Sequence, residues 1–144
     1  MPAKRYVLTA RAVQDLREAR GWSRARWGKQ LTDQYFIDLH AGAQHIAEHH
    51  ASLRRRDELA AGTGLLLYPV REHYLVYEPI DASCTVIVAV IRQGRDVPAI
   101  LRKWGLQIGR ELDAIRSRVR TGKIALPSRS AKKRRVPRPR STRK

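Results

Sequence analysis

Four groups of side chains in this sequence have the types and spacing to do chemistry. The segment His45 to His50 contains H-x-x-E-H, the order of the inverted zinc-protease pattern. On a helix, His45 and His49 stand one turn apart on one face and can share a metal ion, but a hydrolytic site needs a further ligand. Downstream, only Glu111 offers one from a helical context. The reading therefore favours exposed histidines at a polar helix end, with no resident metal and no cofactor. Arg54, Arg55 and Arg56, followed by Asp57 and Glu58, form a mixed-charge run. It is either a solvated link with local ion pairs or a rim for a partner. Arg92, Arg95 and Asp96 sit where an apolar segment ends; Asp96 can cap a following helix, and the two arginines can form a basic rim for an acidic partner. The last group is the polybasic run with Lys132, Lys133, Arg134, Arg135, Arg138 and Arg140. Such a run binds nucleic acid by releasing counterions, with steep salt dependence and little sequence preference. It has no aromatic residue to stack on bases.

These groups sit on a chain of 144 residues with 30 Lys+Arg against 13 Asp+Glu, a net charge of +17, and a hydrophobic fraction of 42%. The length suits one domain with an extension, and the apolar content is enough for a packed core. The charge is segregated. Up to Leu101 there are 14 Lys+Arg and 11 Asp+Glu; from Arg102 onward there are 16 Lys+Arg and two acids, Glu111 and Asp113. A near-neutral domain, residues 1–101, thus carries a very basic appendage. The longest apolar run, Val86 to Ile91, falls far short of the roughly 20 residues that span a bilayer. Arg11, Asp15, Arg17 and Glu18 interrupt any signal-peptide core after Lys4 and Arg5. The single cysteine, Cys84, excludes a disulfide framework and a cysteine zinc site, and a reducing cytoplasm is the simplest compartment.

The elements that must position the charged groups follow from periodicity. Tyr6, Val7 and Leu8 read as a strand, with Thr9 as a helix N-cap. Val13, Leu16 and Ala19 keep helical spacing until Gly21 or Gly28. A second helix runs from about Lys29 to about His50, with Leu31, Tyr35, Leu39, Ala43 and Ile46 on one stripe, so the two helices form a hairpin lying on something flat. Trp22 and Trp27 flank the turn as core packing. Strands follow at Leu65–Val70, His73–Tyr77 and Thr85–Ile91, close enough in sequence for an antiparallel meander. The fold class is α+β, in the order β-α-α-β-β-β: a small antiparallel sheet with the N-terminal helical hairpin on one face. Val97, Leu101, Trp104, Ile108, Leu112, Ile115 and Val119 then make a long amphipathic helix, capped by Asp96, with Pro98 in its first turn and Gly122 as its stop. Its stripe either packs back on the domain or serves as a homodimer seam or partner surface. This divides the chain into a domain (1–101), a helical extension (102–122) and a polybasic tail (123–144) whose composition predicts disorder.

Five pieces, in order, resemble one family: YVLTARAVQDL, ARWGKQLTDQYFIDL, RRDEL, GLLLYPVREHYLVY and VIVAVIRQGRD. Over about Arg5 to Leu101 the chain resembles the RelE/ParE toxins of bacterial type II toxin–antitoxin systems, and is closer to the ParE branch. The resemblance implies a small cytoplasmic toxin held inactive by a cognate antitoxin. It also implies one of two activities: RelE-like members cut mRNA on the ribosome, whereas ParE-like members bind DNA gyrase and do no chemistry themselves.

The residues favour the second. RNA cleavage needs a group to take the 2′-hydroxyl proton, a group to protonate the leaving oxygen, and cations around the phosphate. RelE-like enzymes place a Tyr or His near the C-terminus, but here the last are Tyr77 and His73. Where that branch often carries basic residues, this chain has Leu66 and Ala89. Lys29, Arg92 and Arg95 remain as the catalytic set of a nuclease, and arginines stabilise anions but barely release protons. The expected function is therefore a toxin that binds a protein, DNA gyrase by family analogy. The mRNA endonuclease is the alternative, and a basic nucleic-acid-binding protein on the same fold is the second alternative. Arg54, Arg55, Arg56, Arg92, Arg95, Trp104, Ile108 and Leu112 are the expected contacts for target or antitoxin. No membrane partner is expected.

Overall fold

The computed structural model describes residues 4–120 apart from residues 55 and 61. The chain opens with strand β1 (Arg5–Leu8) and helix α1 (Ala10–His49). Thr9 joins them in extended conformation. Its hydroxyl accepts the Ala12 N–H at 3.0 Å, as an N-cap should, and donates to the Val88 carbonyl at 2.8 Å. The cap therefore also fixes where the helix meets the sheet.

Gly28 breaks α1 with φ at 81°, a left-handed conformation that glycine adopts without steric cost. The chain reverses there. Arg20 and Asp33, 13 positions apart, pair at 3.3 Å, whereas one straight helix would separate them by about 20 Å. This is the expected hairpin, with arms 10–27 and 29–49. Tyr35, Leu39, Ala43 and Ile46 are buried on the stripe of the second arm. Leu31 departs from that stripe: it lies in the first turn after the break, 59% exposed, and Thr32 takes the buried position, donating to the Gly28 carbonyl at 2.7 Å.

Strands β2 (Leu66–Val70), β3 (His73–Asp81) and β4 (Cys84–Arg92) form the antiparallel meander. The sheet order is β1-β4-β3-β2, and β1 lies parallel to β4, so the whole sheet is mixed rather than antiparallel. The long excursion through α1 permits this, since a parallel neighbour needs a crossover instead of a tight turn. The register shifts from Val76↔Ala89 to Tyr77↔Ile87, which leaves Val88 as a bulge. The bulge flips the side-chain phase. Val86 and Val88, then Ala89 and Ile91, all face one core layer, while Ile87 and Val90 face the other.

Helix α2 (Val97–Arg120) supplies the second layer. Asp96 caps it, its carboxylate accepting the Ala99 N–H at 3.2 Å. Val97, Leu101, Ile108 and Leu112 are buried against Leu67, Val76, Val86 and Val88, with Trp104 and Ile115 partly buried beside them. The Arg116–Glu78 pair at 2.7 Å ties the far end of α2 to β3. The sheet is thus covered on both faces, by the hairpin and by α2. This accounts for β4, where all eight residues Cys84–Ile91 are buried. Gly122, the expected stop, and the polybasic tail lie outside the described residues. No helix among the described residues is long and apolar enough to cross a membrane.

Candidate functional site: a charged cleft beside strand β4

β1 pairs with β4 only as far as Ile87. Beyond it the first arm of α1 approaches β4 through side chains rather than as a strand. The Asp15 carboxylate accepts the Val90 N–H at 2.9 Å and pairs with Arg11 at 3.4 Å. A cleft of about 570 Å³ opens between this arm, β4 and the start of α2, lined among others by Arg11, Asp15, Glu18, Arg95, Lys103 and Trp104. The Arg11 guanidinium lies 4.2 Å from the Trp104 ring, and Lys103 reaches the same ring at 5.3 Å. A second recess of about 270 Å³ shares Asp15, Glu18, Val90 and Arg95 with the first, and adds Trp22, His73 and Arg92.

The turn after β4 sets the positions of the two arginines. The Arg95 N–H donates to the Arg92 carbonyl at 3.1 Å. Gln93 pins this turn to the β2–β3 turn: its amide donates to the carbonyls of Arg71 and His73 at 2.8 and 3.0 Å, and its N–H to the Glu72 carbonyl at 2.8 Å. His73, the first residue of β3, is 4% exposed. Its Nδ1 is hydrogen-bonded to the Tyr35 hydroxyl, which accepts the Glu72 N–H at 3.1 Å. The Arg92 guanidinium lies 5.0 Å from the Trp22 ring, which is set edge-to-face with the His73 ring at a centroid separation of 6.1 Å.

The cleft shifts two titrating groups in opposite directions. Burial holds the Asp15 carboxyl up at about 6, partly offset by the Val90 N–H and by Arg11. Burial, with the charge of Arg92, holds His73 down at about 4. At neutral pH, His73 is an uncharged ring and Asp15 a carboxylate that takes up a proton on mild acidification. Burial also raises Tyr35, so it remains a neutral hydroxyl.

Of the residues singled out from sequence, Arg92 and Arg95 come together here. Trp104, half-buried, and Ile108, buried, line the larger cleft with Arg95, while Leu112 lies in the core. Lys29 is elsewhere: it stands at the hairpin tip, 75% exposed, paired with Asp33 at 2.6 Å. Arg54 pairs with Glu58 at 4.0 Å and, with Arg56, borders a shallow recess over Leu67, Tyr68 and Pro69. Arg55 lies outside the described residues, as do Lys132, Lys133, Arg134, Arg135, Arg138 and Arg140. His45 and His49 have ring centroids 4.7 Å apart, but no group of three metal-ligating side chains occurs among the described residues. Glu111 instead accepts the Arg11 N–H at 3.5 Å.

Sequence reasoning named Asp15, Glu18 and His73 but assigned none of them to a site. For Asp15 a signal was present. Ala12, Ala19 and Ser23 are buried at helical spacing, and a carboxylate between them falls on the inward face. His73 carried none, since its partner Tyr35 is 38 positions away.

Comparison with known proteins agrees with this architecture. The family model described as "ParE toxin of type II toxin-antitoxin system, parDE" matches residues 6–97, more than half of the chain. No curated protein matches the chain. Among solved structures, a chain of the chromosomal ParDE toxin–antitoxin system from P. aeruginosa superposes with a TM-score of 0.53 at 11% identity, over 62% of this chain and 95% of that one. At that identity the likeness speaks for the fold. Helix α2 begins where the family match ends, so the layer that covers the second face of the sheet lies outside the matched segment. Sheet order, helical hairpin and the matched segment lead to one conclusion: the chain belongs to the ParE toxin family of type II toxin–antitoxin systems.

Proposed function

We propose that the protein is a toxin that acts by binding a protein target, DNA gyrase by family analogy, and that a cognate antitoxin neutralises it. The observation that supports binding over RNA cleavage is the state of the cleft's two proton-carrying groups. Cleavage at a 2′-hydroxyl needs one group ready to accept a proton and another ready to give one. His73 is neutral, with Nδ1 engaged by Tyr35, and it protonates only near pH 4. Asp15 spends its carboxylate on the Val90 N–H and on Arg11. Lys29, the third member of a nuclease set, does not line the cleft. The arginines can hold an anion but cannot turn it over.

The contact face in this reading is the rim formed by Arg92 and Arg95. The α2 stripe of Leu101, Ile108 and Leu112 is spent on the chain's own sheet. That supports reading α2 as core rather than as a homodimer seam or an antitoxin surface. The decisive experiment is tightly controlled expression, with mRNA 5′ ends mapped and gyrase supercoiling assayed in parallel. Inhibited supercoiling with intact mRNA is the expected result. Codon-linked cuts would overturn the reading, and the absence of any growth defect in the native host would favour the non-toxic nucleic-acid-binding alternative. If a small gene lies directly upstream or downstream of this one, its co-expression should restore growth, as expected of an antitoxin.

A further inference from the structure

The recess beside Arg92 and Arg95 has a third donor that arginine chemistry alone does not provide. The Tyr35 hydroxyl is 0% exposed and already accepts the Glu72 N–H, so its proton needs an acceptor within the protein. His73 Nδ1 is that acceptor, since a buried hydroxyl proton left without a partner would cost more than either tautomer preference. This assigns the ring proton to Nε2. Nε2 makes no hydrogen bond to any described residue, and His73 lines the recess together with Arg92 and Arg95.

We infer that this recess is a receptor for one carboxylate side chain of a partner protein, held by the Arg92 and Arg95 guanidinium groups and by the Nε2–H of His73. The inference deepens the protein-binding reading above and rests on it for the choice of a protein ligand. Two features select a carboxylate over a phosphate. Asp15 and Glu18 line the same recess of about 270 Å³ and offset the two arginines, so a bound dianion leaves twice the uncompensated charge that a monoanion does. The planar fork of an arginine also matches a planar carboxylate with two parallel hydrogen bonds. Trp22, the aromatic on which a base would stack, already holds Arg26 at 4.8 Å and Arg92 at 5.0 Å against its ring.

The site should be linked to protons. The charged or titrating groups facing the recess are Asp15 and Glu18 from α1, His73 from β3, Arg92 from β4 and Arg95 from the turn after it. A carboxylate bound among them favours the protonated form of Asp15, so affinity should rise as pH falls from 7.5 to 5.5. It should fall again only when the ligand itself protonates.

The test is a titration of the full-length, 15N-labelled protein with a blocked Gly-Glu-Gly tripeptide, followed at the side-chain signals of His73, Arg92, Arg95 and Trp22. Site-resolved signals separate the recess from the basic tail. Parallel titrations use inorganic phosphate and a short single-stranded RNA. The tripeptide should give saturable shifts, with affinity at least tenfold weaker in Arg92→Ala and in Arg95→Ala and unchanged in Arg54→Ala. Tyr35→Phe should weaken binding several-fold and move the His73 tautomer toward Nδ1–H in the 15N spectrum. If that buried variant fails to fold, the two arginine variants carry the test. Absence of saturation, saturation that survives both arginine changes, or tighter binding of phosphate or RNA would each overturn the inference. A gyrase assay can succeed or fail independently of all three.

Discussion

At the scale of single residues, the cleft holds two titrating groups whose effects on stability oppose each other. Asp15 has its folded pKa raised to about 6 from 3.8, so between about pH 4 and 6 the folded state binds the extra proton. Its contribution is fully present below pH 4 and is lost as pH rises through 6. His73 has its folded pKa lowered to about 4 from 6.5, so the unfolded state binds the extra proton over nearly the same window. Its contribution is present above pH 6.5 and is lost as pH falls through 4. The two slopes, each up to about 1.4 kcal/mol per pH unit, largely cancel in the wild type. Asp15→Asn keeps an acceptor for the Val90 N–H but does not titrate. Its stability should therefore climb from pH 4 to 6.5, overtaking the wild type near neutrality by about 1–2 kcal/mol. His73→Gln should tilt the other way, with stability falling as pH rises over the same range. Urea unfolding of the three proteins at pH 4, 5, 6 and 7 reads this directly. Parallel curves for all three would show that neither group is shifted as described.

At the scale of elements, the hairpin lies close on the sheet at Gly42, where an added Cβ would lie 2.5 Å from Val70 Cγ2 and 3.5 Å from Leu75 Cδ1. Val70 is β-branched and stiff at χ1, so it cannot swing clear without moving β2. Gly42→Ala should cost about 1–3 kcal/mol by overpacking, despite the better helix propensity of alanine, whereas Gly21→Ala, with nothing within 4 Å, should stabilise by about 1 kcal/mol. Thermal unfolding of the pair checks the sign of each. These elements were mostly legible from sequence, and for a common reason: each carries a local signature. Thr9 and Asp96 are caps, Gly28 is a break, and the Val86–Ile91 run is a strand buried on both faces. What the sequence did not disclose depends on pairing at a distance. The parallel direction of β1, the bulge at Val88 and the exposure of Leu31 are set by which element lies opposite, and local periodicity is blind to that. The same division holds for the site. Arg92 and Arg95 could be found because three positions of one turn separate them. Asp15 and His73, by contrast, reach the cleft from elements 58 positions apart, and the chemistry that makes them notable, a dry carboxyl and a neutral ring, exists only once the fold has closed over them.

For the whole molecule, the question is where the functional chain ends. Composition divides it near Leu101, where the charge begins to accumulate, but the packed core runs on through α2. Leu101, Ile108 and Leu112 are each under 7% exposed and share one core with Leu67, Val76, Val86 and Val88. Ile108→Ala should therefore cost about 2–5 kcal/mol, the usual toll of truncating a large buried aliphatic side chain. A chain cut before Val97 should expose that face of the sheet and become insoluble, even though residues 6–97 contain the whole family match. Cutting after Gly122 is a different operation. It removes ten Lys+Arg and no acid, which takes the net charge from +17 to +7 while leaving every described residue in place. The cooperative unfolding transition should be unchanged by this cut, as should any growth inhibition. Duplex DNA binding should lose its steep salt dependence, because the slope of log K against log salt scales with the number of phosphates neutralised, at about 0.9 per contact. Measured at several salt concentrations, the full chain should show a slope several units steeper than the shortened one. Equal slopes would place the nucleic-acid contacts on the folded domain instead, and with them a role for its cations that the near-neutral charge of residues 1–101 does not suggest.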